Sequence, residues 1–216
     1  LIRLINPNIK IILGGPEVSY DPIEIMSKNP SIDYIICGEG EVTFYELIKY
    51  LENKNTNIQS IHGLVYRDGL QIIKTKEQKP ILELDIIPFP YESFDALENK
   101  IIYYETSRGC PFECQYCLSS IEKGVRYFSL DRVYKDLDFF IDNNIKQVKL
   151  VDRTFNCDKK RCISIMDYII KKGGNTNFHF EISPKLIDSN FLSLMEKAPK
   201  GLFQFEIGIQ STNPLT

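Results

Sequence analysis

Short apolar runs that end in glycine turns and lead into helix starts recur along this chain, and that order dictates an open α/β sheet. Ile9-Lys10-Ile11-Ile12-Leu13 reads as a buried parallel strand ending in Gly14-Gly15-Pro16. Asp21-Pro22 then opens a helix, a capping side chain standing before a proline at the first helical position. Tyr34-Ile35-Ile36-Cys37 ends in Gly38-Glu39-Gly40-Glu41, after which Phe44, Leu47, Ile48 and Leu51 recur at helical spacing. Between Asn53 and Tyr91 the pattern changes. Gly63 to Arg67, Asp68-Gly69 and Leu70 to Ile73 predict two strands joined by a hairpin turn, and Pro80, Pro88 and Pro90 predict an extended connector.

A second series begins at Ile101-Ile102-Tyr103-Tyr104, a strand that feeds directly into a cysteine-rich loop. Ser129 caps a helix whose Leu130, Val133, Leu137, Phe140 and Ile141 form one apolar stripe. Val148 to Val151 is the next strand, ending at Asp152, and Asp158 caps a helix stopped by Gly173-Gly174. A short helix from Asp188 separates two alternating strands, Phe178 to Ile182 and Phe203 to Gln210. Consecutive βα units of this kind wind right-handed. In a β/α barrel one strand face packs on the helices and the other looks inward, so His179, Glu181, Gln204, Glu206 and Gln210 are expected on the inner face. The fold class expected is α/β, and what the chain resembles implies the C-terminal part of a Rossmann-like domain over 1–56, a hairpin and proline-rich linker over 57–98, and a partial, TIM-like β/α barrel over 99–216, truncated after about four strands. The opening on Leu1 and the stop at Pro214-Leu215-Thr216, directly after a strand-like run, read as cut edges of a longer protein.

Composition excludes several classes of function. A formal charge of −3 argues against a general nucleic-acid binder. No apolar run approaches the ~18 residues a membrane span needs, and no leader pattern is seen, so a cytoplasmic protein with neither nucleic-acid nor membrane partners is expected. Cys110, Cys114 and Cys117 fall within eight residues, while Cys37, Cys157 and Cys162 are scattered. A tight cluster without a leader reads as metal or redox chemistry in a reducing compartment. Thiolates at C-x3-C-x2-C suit zinc or an iron–sulfur centre. A closed zinc site wants four ligands, usually as two pairs, and no second pair exists here; three ligands on a four-iron cube leave one iron open to substrate.

Cys110-x3-Cys114-x-Tyr116-Cys117 resembles the cluster loop of the radical S-adenosylmethionine (SAM) enzymes, including the aromatic residue before the last cysteine. The resemblance implies that the three cysteines hold a 4Fe–4S cluster and that SAM chelates the fourth iron. An electron from the reduced cluster then cleaves SAM to a 5′-deoxyadenosyl radical. It places Tyr116 against the adenine, and Asp152, Glu181, Glu206 and Gln210 among the SAM contacts, since an ammonium and two ribose hydroxyls need acceptors. The Gly-Gly-Glu element common after the second strand of the family is replaced by Asp152-Arg153-Thr154-Phe155-Asn156.

The front piece, through Ile11 to Glu17, Ile32 to Ile36 and Gly38 to Glu41, looks like the end of a cobalamin (vitamin B12)-binding domain. That likeness implies cobalamin in the full-length protein, with Gly14, Gly15, Pro16, Gly38 and Glu39 as contacts. The family's Asp-x-His-x-x-Gly ligand motif is absent and is expected upstream of Leu1. Together the resemblances imply radical methylation of an unactivated carbon, with methylcobalamin as methyl donor and a flavodoxin or ferredoxin as reductant. The substrate, a small molecule or a peptide, is not specified by these residues, nor is any catalytic residue beyond the cofactor contacts. The alternatives are a radical SAM rearrangement, a methylthiotransferase-like enzyme, or a non-catalytic zinc or iron–sulfur module. Cys37 and Cys162 read as small buried hydrophobes, His62 as a loop residue and His179 as a hydrogen-bonded structural histidine. Arg108 and Arg126 either face an anionic centre or are solvated surface charges.

Overall fold

The computed structural model describes residues 2–53, 57–91, 100–120 and 124–213, without the side chains of Asn53 and Ser120. The expectations at the two chain ends (Leu1 and 214–216) and over 92–98 of the connector lie outside these residues. The chain divides into two compact units, Leu1–Leu82 and Glu83–Thr216.

The first unit runs α1 (Ile2–Ile5), β1 (Ile12–Gly14), α2 (Pro16–Ser19), α3 (Pro22–Lys28), β2 (Tyr34–Ile36), α4 (Gly40–Asn53), β3 (Leu64–Asp68) and β4 (Gln71–Lys74). β1 and β2 pair in parallel, as the glycine-turn grammar requires. The hairpin expected from Asp68-Gly69 forms, with Asp68 opposite Gln71. Its first strand also pairs antiparallel with β2, Ile35 opposite Val65, so the sheet order is β1-β2-β3-β4. The compact unit thus runs past the expected boundary at 56, because β3 covers what would otherwise be an open edge of β2. Successive strand residues point to opposite faces and each face has its own core. Ile36, Leu64 and Tyr66 pack with Leu47 and Ile61 on one side, and Ile35 and Val65 pack with Met26 and Ile32 on the other.

The second unit runs β5 (Ile101–Tyr104), β6 (Ser107–Cys110), β7 (Gly124–Tyr127), α5 (Leu130–Asp142), β8 (Gln147–Leu150), α6 (Lys159–Lys172), β9 (Asn177–Ile182), α7 (Ser189–Met195) and β10 (Phe203–Ile207). β5, β8, β9 and β10 are parallel neighbours in sequence order, the arrangement of consecutive barrel strands. β6 and β7 form a separate antiparallel hairpin. Val148, Leu150, Phe178, Phe180 and Ile182 are buried, as are Val133, Leu137 and Phe140 of α5 and Ile165, Met166 and Ile169 of α6. Of the inner-face residues foreseen from the alternation, His179, Glu181, Gln204 and Glu206 lie on β9 and β10, Gln210 lies beyond the end of β10, and Lys149 of β8 joins this polar face.

Of the three expected capping side chains Ser129 and Asp158 make their bonds and Asp21 does not, its helix starting on Pro22 without a side-chain cap, while Asp188 caps the helix expected to start there. Ser129 Oγ accepts from Arg132 N at 3.2 Å, and Asp158 and Asp188 carboxylates accept from Arg161 N and Phe191 N, each at 3.1 Å. Asp158→Ala is expected to lower stability by about 1 kcal/mol, a fall in Tm of roughly 2–4 °C in a thermal melt of the apo chain.

Candidate functional site

Two residues after β5 the chain leaves the parallel sheet as β6 and returns as β7, and the cysteine loop is the connection between them. Gly109 makes this hairpin possible. Its φ is +95°, and a Cβ there would stand 2.1 Å from the carbonyl oxygen of Gly124 on the partner strand. Cys110 lies opposite Gly124 at the hairpin's outer end. Beyond it a turn closed by Cys117 N donating to Cys114 O, at 3.0 Å, bends the chain back.

Cys110, Phe112, Cys114, Tyr116 and Cys117 line a cavity of about 490 Å³. Across it stand Arg153 and Thr154 after β8, Glu181 to Lys185 at the end of β9, and Glu206, Gly208 and Gln210 at and beyond the end of β10. These are the C-terminal ends of parallel strands, where α/β barrels place their ligand sites. Cys110 Sγ lies 3.5 Å from Thr154 Oγ1, which ties the loop to the opposite wall. Cys114 is exposed, as is Tyr116 with 75% of its surface accessible, so its ring supports no core. Among the described residues no three His, Cys, Asp or Glu side chains converge as ligands of one ion. The three cysteines line one cavity, and their soft thiolate donor set fits a multi-iron cluster.

The opposite wall is charged. Glu181 and Glu206 stand directly opposite each other in the parallel register of β9 and β10. Like charges so placed repel. Lys149 on β8 answers both, with Nζ 3.3 Å from Glu206 Oε2 and 3.7 Å from Glu181 Oε1. The hydrogen bond to Glu206 holds the lysine pKa above its ordinary value, so the ammonium persists. His179 is buried, with Nε2 3.4 Å from the same Glu206 oxygen and Nδ1 without a hydrogen-bond partner.

Of the expected SAM contacts, Tyr116, Glu181, Glu206 and Gln210 line this cavity together with the three cysteines. Asp152 is not among the residues that line it. Its carboxylate is buried and accepts from Thr106 N at 3.0 Å, Thr106 Oγ1 at 2.7 Å and Ser107 Oγ at 2.5 Å. Burial raises its pKa against the opposing pull of those hydrogen bonds. Thr154 and Ser183 were not singled out from sequence. Ser183 is held by Asn156, whose amide nitrogen donates to Ser183 O and whose oxygen accepts from Ser183 N, both at 2.9 Å. The only signal for either was its place just after a strand.

In the first unit Gly14, Gly15 and Pro16 follow β1, and Gly38 follows β2. Gly38 helps line a cavity of about 220 Å³ with Ser19, Cys37, Gly63 and Lys74. The carboxylate of Glu39 accepts from Ile81 N at 2.6 Å, which pins the chain that follows β4. Cys162 is buried with its sulfur 3.7 Å from Met166 Sδ, and burial pushes its thiol up to about 12. Cys157 meets the Tyr127 hydroxyl at 3.3 Å, and Arg108 is bridged to Glu105. No helix among the described residues is long and apolar enough to cross a membrane.

The family model described as "Radical SAM superfamily" matches residues 104–216, and "B12 binding domain" matches residues 1–48. An uncharacterized methyltransferase, PH0819, of Pyrococcus horikoshii is 30% identical over 225 residues, covering 99% of this chain and 48% of that protein. The anaerobic magnesium-protoporphyrin IX monomethyl ester cyclase of Synechocystis sp. is 38% identical over 119 residues, covering 51% of this chain and 23% of that protein. Among solved structures, the cobalamin-dependent S-adenosylmethionine radical enzyme OxsB, with aqua-cobalamin and S-adenosylmethionine bound, superposes with a TM-score of 0.73 at 22% identity. That match covers 97% of this chain and 32% of OxsB. The chain thus spans about half, or less, of the length of the proteins it matches.

Proposed function

This chain belongs to the radical SAM superfamily, and from that premise we propose that Cys110, Cys114 and Cys117 hold a 4Fe–4S cluster and that SAM binds beside it in the 490 Å³ cavity. We propose further that the whole protein is a cobalamin-dependent enzyme that methylates an unactivated carbon, drawing electrons from a small reductant such as a flavodoxin or ferredoxin. When bound, the cluster and SAM supply a carbon radical, and methylcobalamin supplies the methyl group. The observation that carries the reading is the gathering of the three cysteines, Tyr116, Glu181, Glu206 and Gln210 around one cavity at the strand ends.

Each side chain has work suited to its chemistry. The thiolates bind iron, a soft-ligand task that a carboxylate or hydroxyl performs poorly. Tyr116 offers an exposed ring to an adenine face. Glu181 and Glu206 accept hydrogen bonds from an ammonium or from ribose hydroxyls, and Lys149 offsets the repulsion between them. Gln210 adds an amide that both donates and accepts. The B12-binding match over residues 1–48 and the likeness to OxsB support cobalamin, and the likeness to PH0819 supports methyl transfer.

A second reading rests on the cyclase match, which covers half of this chain at a higher identity. It keeps the cluster, SAM and the radical, and replaces methyl transfer with another radical reaction. Anaerobically reconstituted chain given SAM and dithionite is expected to release 5′-deoxyadenosine, measured by chromatography. No release above a cluster-free control contradicts the proposal. Methylated against demethylated cobalamin after turnover of the full-length protein separates the two readings.

A further inference from the structure

β6 and β7 do not pair with the parallel sheet, so the hairpin that carries Cys110 is oriented by what holds its base. That base is Thr106, buried and bonded on every side. Its N–H and hydroxyl both donate to Asp152, at 3.0 and 2.7 Å. Its carbonyl accepts from Phe128 N at 3.0 Å, just after β7, and from Arg161 Nη2 at 3.2 Å, in the first turn of α6. Ser107 adds a third donor to Asp152, at 2.5 Å. Arg161 in turn stacks over the Tyr127 ring at 5.1 Å. Asp152 follows β8, whose Leu150 is fixed in the sheet opposite Tyr104. One carboxylate therefore links the rigid barrel strand to the start of β6, three residues before Cys110.

We infer that Asp152 is a positioning residue: it fixes the direction in which β6 leaves the sheet and so sets where Cys110 meets the cavity. The inference rests on the reading that the cysteines hold a cluster, and it assigns Asp152 no contact with SAM. A carboxylate is suited to this place because it accepts three hydrogen bonds at once without offering a proton. Groups that orient metal ligands from behind commonly change metal affinity by about 10- to 100-fold when removed.

The test is iron retention by the reconstituted 216-residue chain against a competing chelator, with SAM affinity measured on the loaded fraction. Asp152→Ala is expected to weaken iron retention about 10- to 100-fold, while SAM affinity of the fraction that keeps its cluster stays at the wild-type value. Thr106→Val, which deletes one hydroxyl without changing shape, is expected to weaken retention in the same direction, and Thr106→Ser to restore it. Should Asp152→Ala fail to fold, the Thr106 pair decides alone. Alkylation of Cys110 in the metal-free chain gives a readout independent of the cluster, and both deleterious variants are expected to speed it relative to Cys114. Wild-type iron retention and Cys110 labelling in Asp152→Ala overturn the inference. Intact iron with lost SAM affinity also overturns it and makes Asp152 a direct contact. A wild-type chain that holds no iron counts against the cluster reading, and the labelling comparison still decides the role of Asp152.

Discussion

Cys114→Ser is expected to abolish cluster binding and 5′-deoxyadenosine release while leaving the fold intact. Serine is nearly isosteric, but its hydroxyl stays protonated where a thiol can ionise, and its oxygen is a hard donor where iron–sulfur centres take soft ones. Cys114 is exposed on the loop between β6 and β7 and contributes nothing to the core built by β5, β8, β9 and the helices α5 and α6. Surface changes of this kind alter stability by no more than about 0.5 kcal/mol. Iron per chain therefore falls to a small fraction of the wild-type value, and the Tm of the apo chain stays within a degree or two. Cys157→Ser is the matched control. Its sulfur meets the Tyr127 hydroxyl and does not line the cavity, so it is expected to load iron normally.

Gly109→Ala has the second large effect, by a different route. A Cβ at this position would stand 2.1 Å from the carbonyl oxygen of Gly124 and 3.2 Å from its carbon, both backbone atoms of the paired strand. The residue also sits at φ +95°, where a non-glycine residue costs of order 1–3 kcal/mol even without a clash. Alanine can enter only if β6 and β7 separate, which removes the ladder that places Cys110. Loss of the cluster is expected, with a stability cost above the strain alone, roughly 3 kcal/mol or more by denaturant titration. Gly124→Ala supplies the comparison. It shares a positive φ of +84° but meets nothing within 4 Å among the described residues, so it is expected to cost only about 1 kcal/mol and to keep its iron. Equal effects at the two positions would mean that the close approach at Gly109 does not govern the hairpin.

Where neighbouring residues decide the outcome, the sequence is legible. The caps at Ser129 and Asp158 were readable because capping is a contact over three residues, although the same pattern at Asp21 marks a helix start without a side-chain cap. The alternation along β9 and β10 showed which side chains face inward because the strand period admits one other choice, and that choice buries the charges. That the cysteine loop, Glu181, Glu206 and Gln210 gather at one cavity was readable from their types and their place at or just beyond strand ends. Long-range pairing was less so. The strand expected over Ile9 to Leu13 begins only at Ile12, where parallel pairing with Tyr34 starts. That the β3–β4 hairpin pairs with β2 is not legible locally, because nothing within the hairpin names its neighbour. The β6–β7 ladder gave little signal, since Arg108-Gly109 and Gly124 have none of the apolar alternation of a buried strand. The direction in which Asp152 turns was not legible for a related reason. A carboxylate at a strand end looks the same whether it faces the cavity or turns back onto Thr106 and Ser107, and only the three-dimensional arrangement of β5, β6 and β8 distinguishes these.

We propose that three thiolates lining one cavity hold a multi-iron centre with a corner open to SAM. Iron and sulfide analysis of the anaerobically reconstituted chain, joined to electron paramagnetic resonance of the reduced sample before and after SAM, addresses it most directly. About four iron and four sulfide per chain, with a resonance that changes on adding SAM, is the predicted result. A single zinc per chain without sulfide, or a cluster whose resonance SAM leaves untouched, would contradict it.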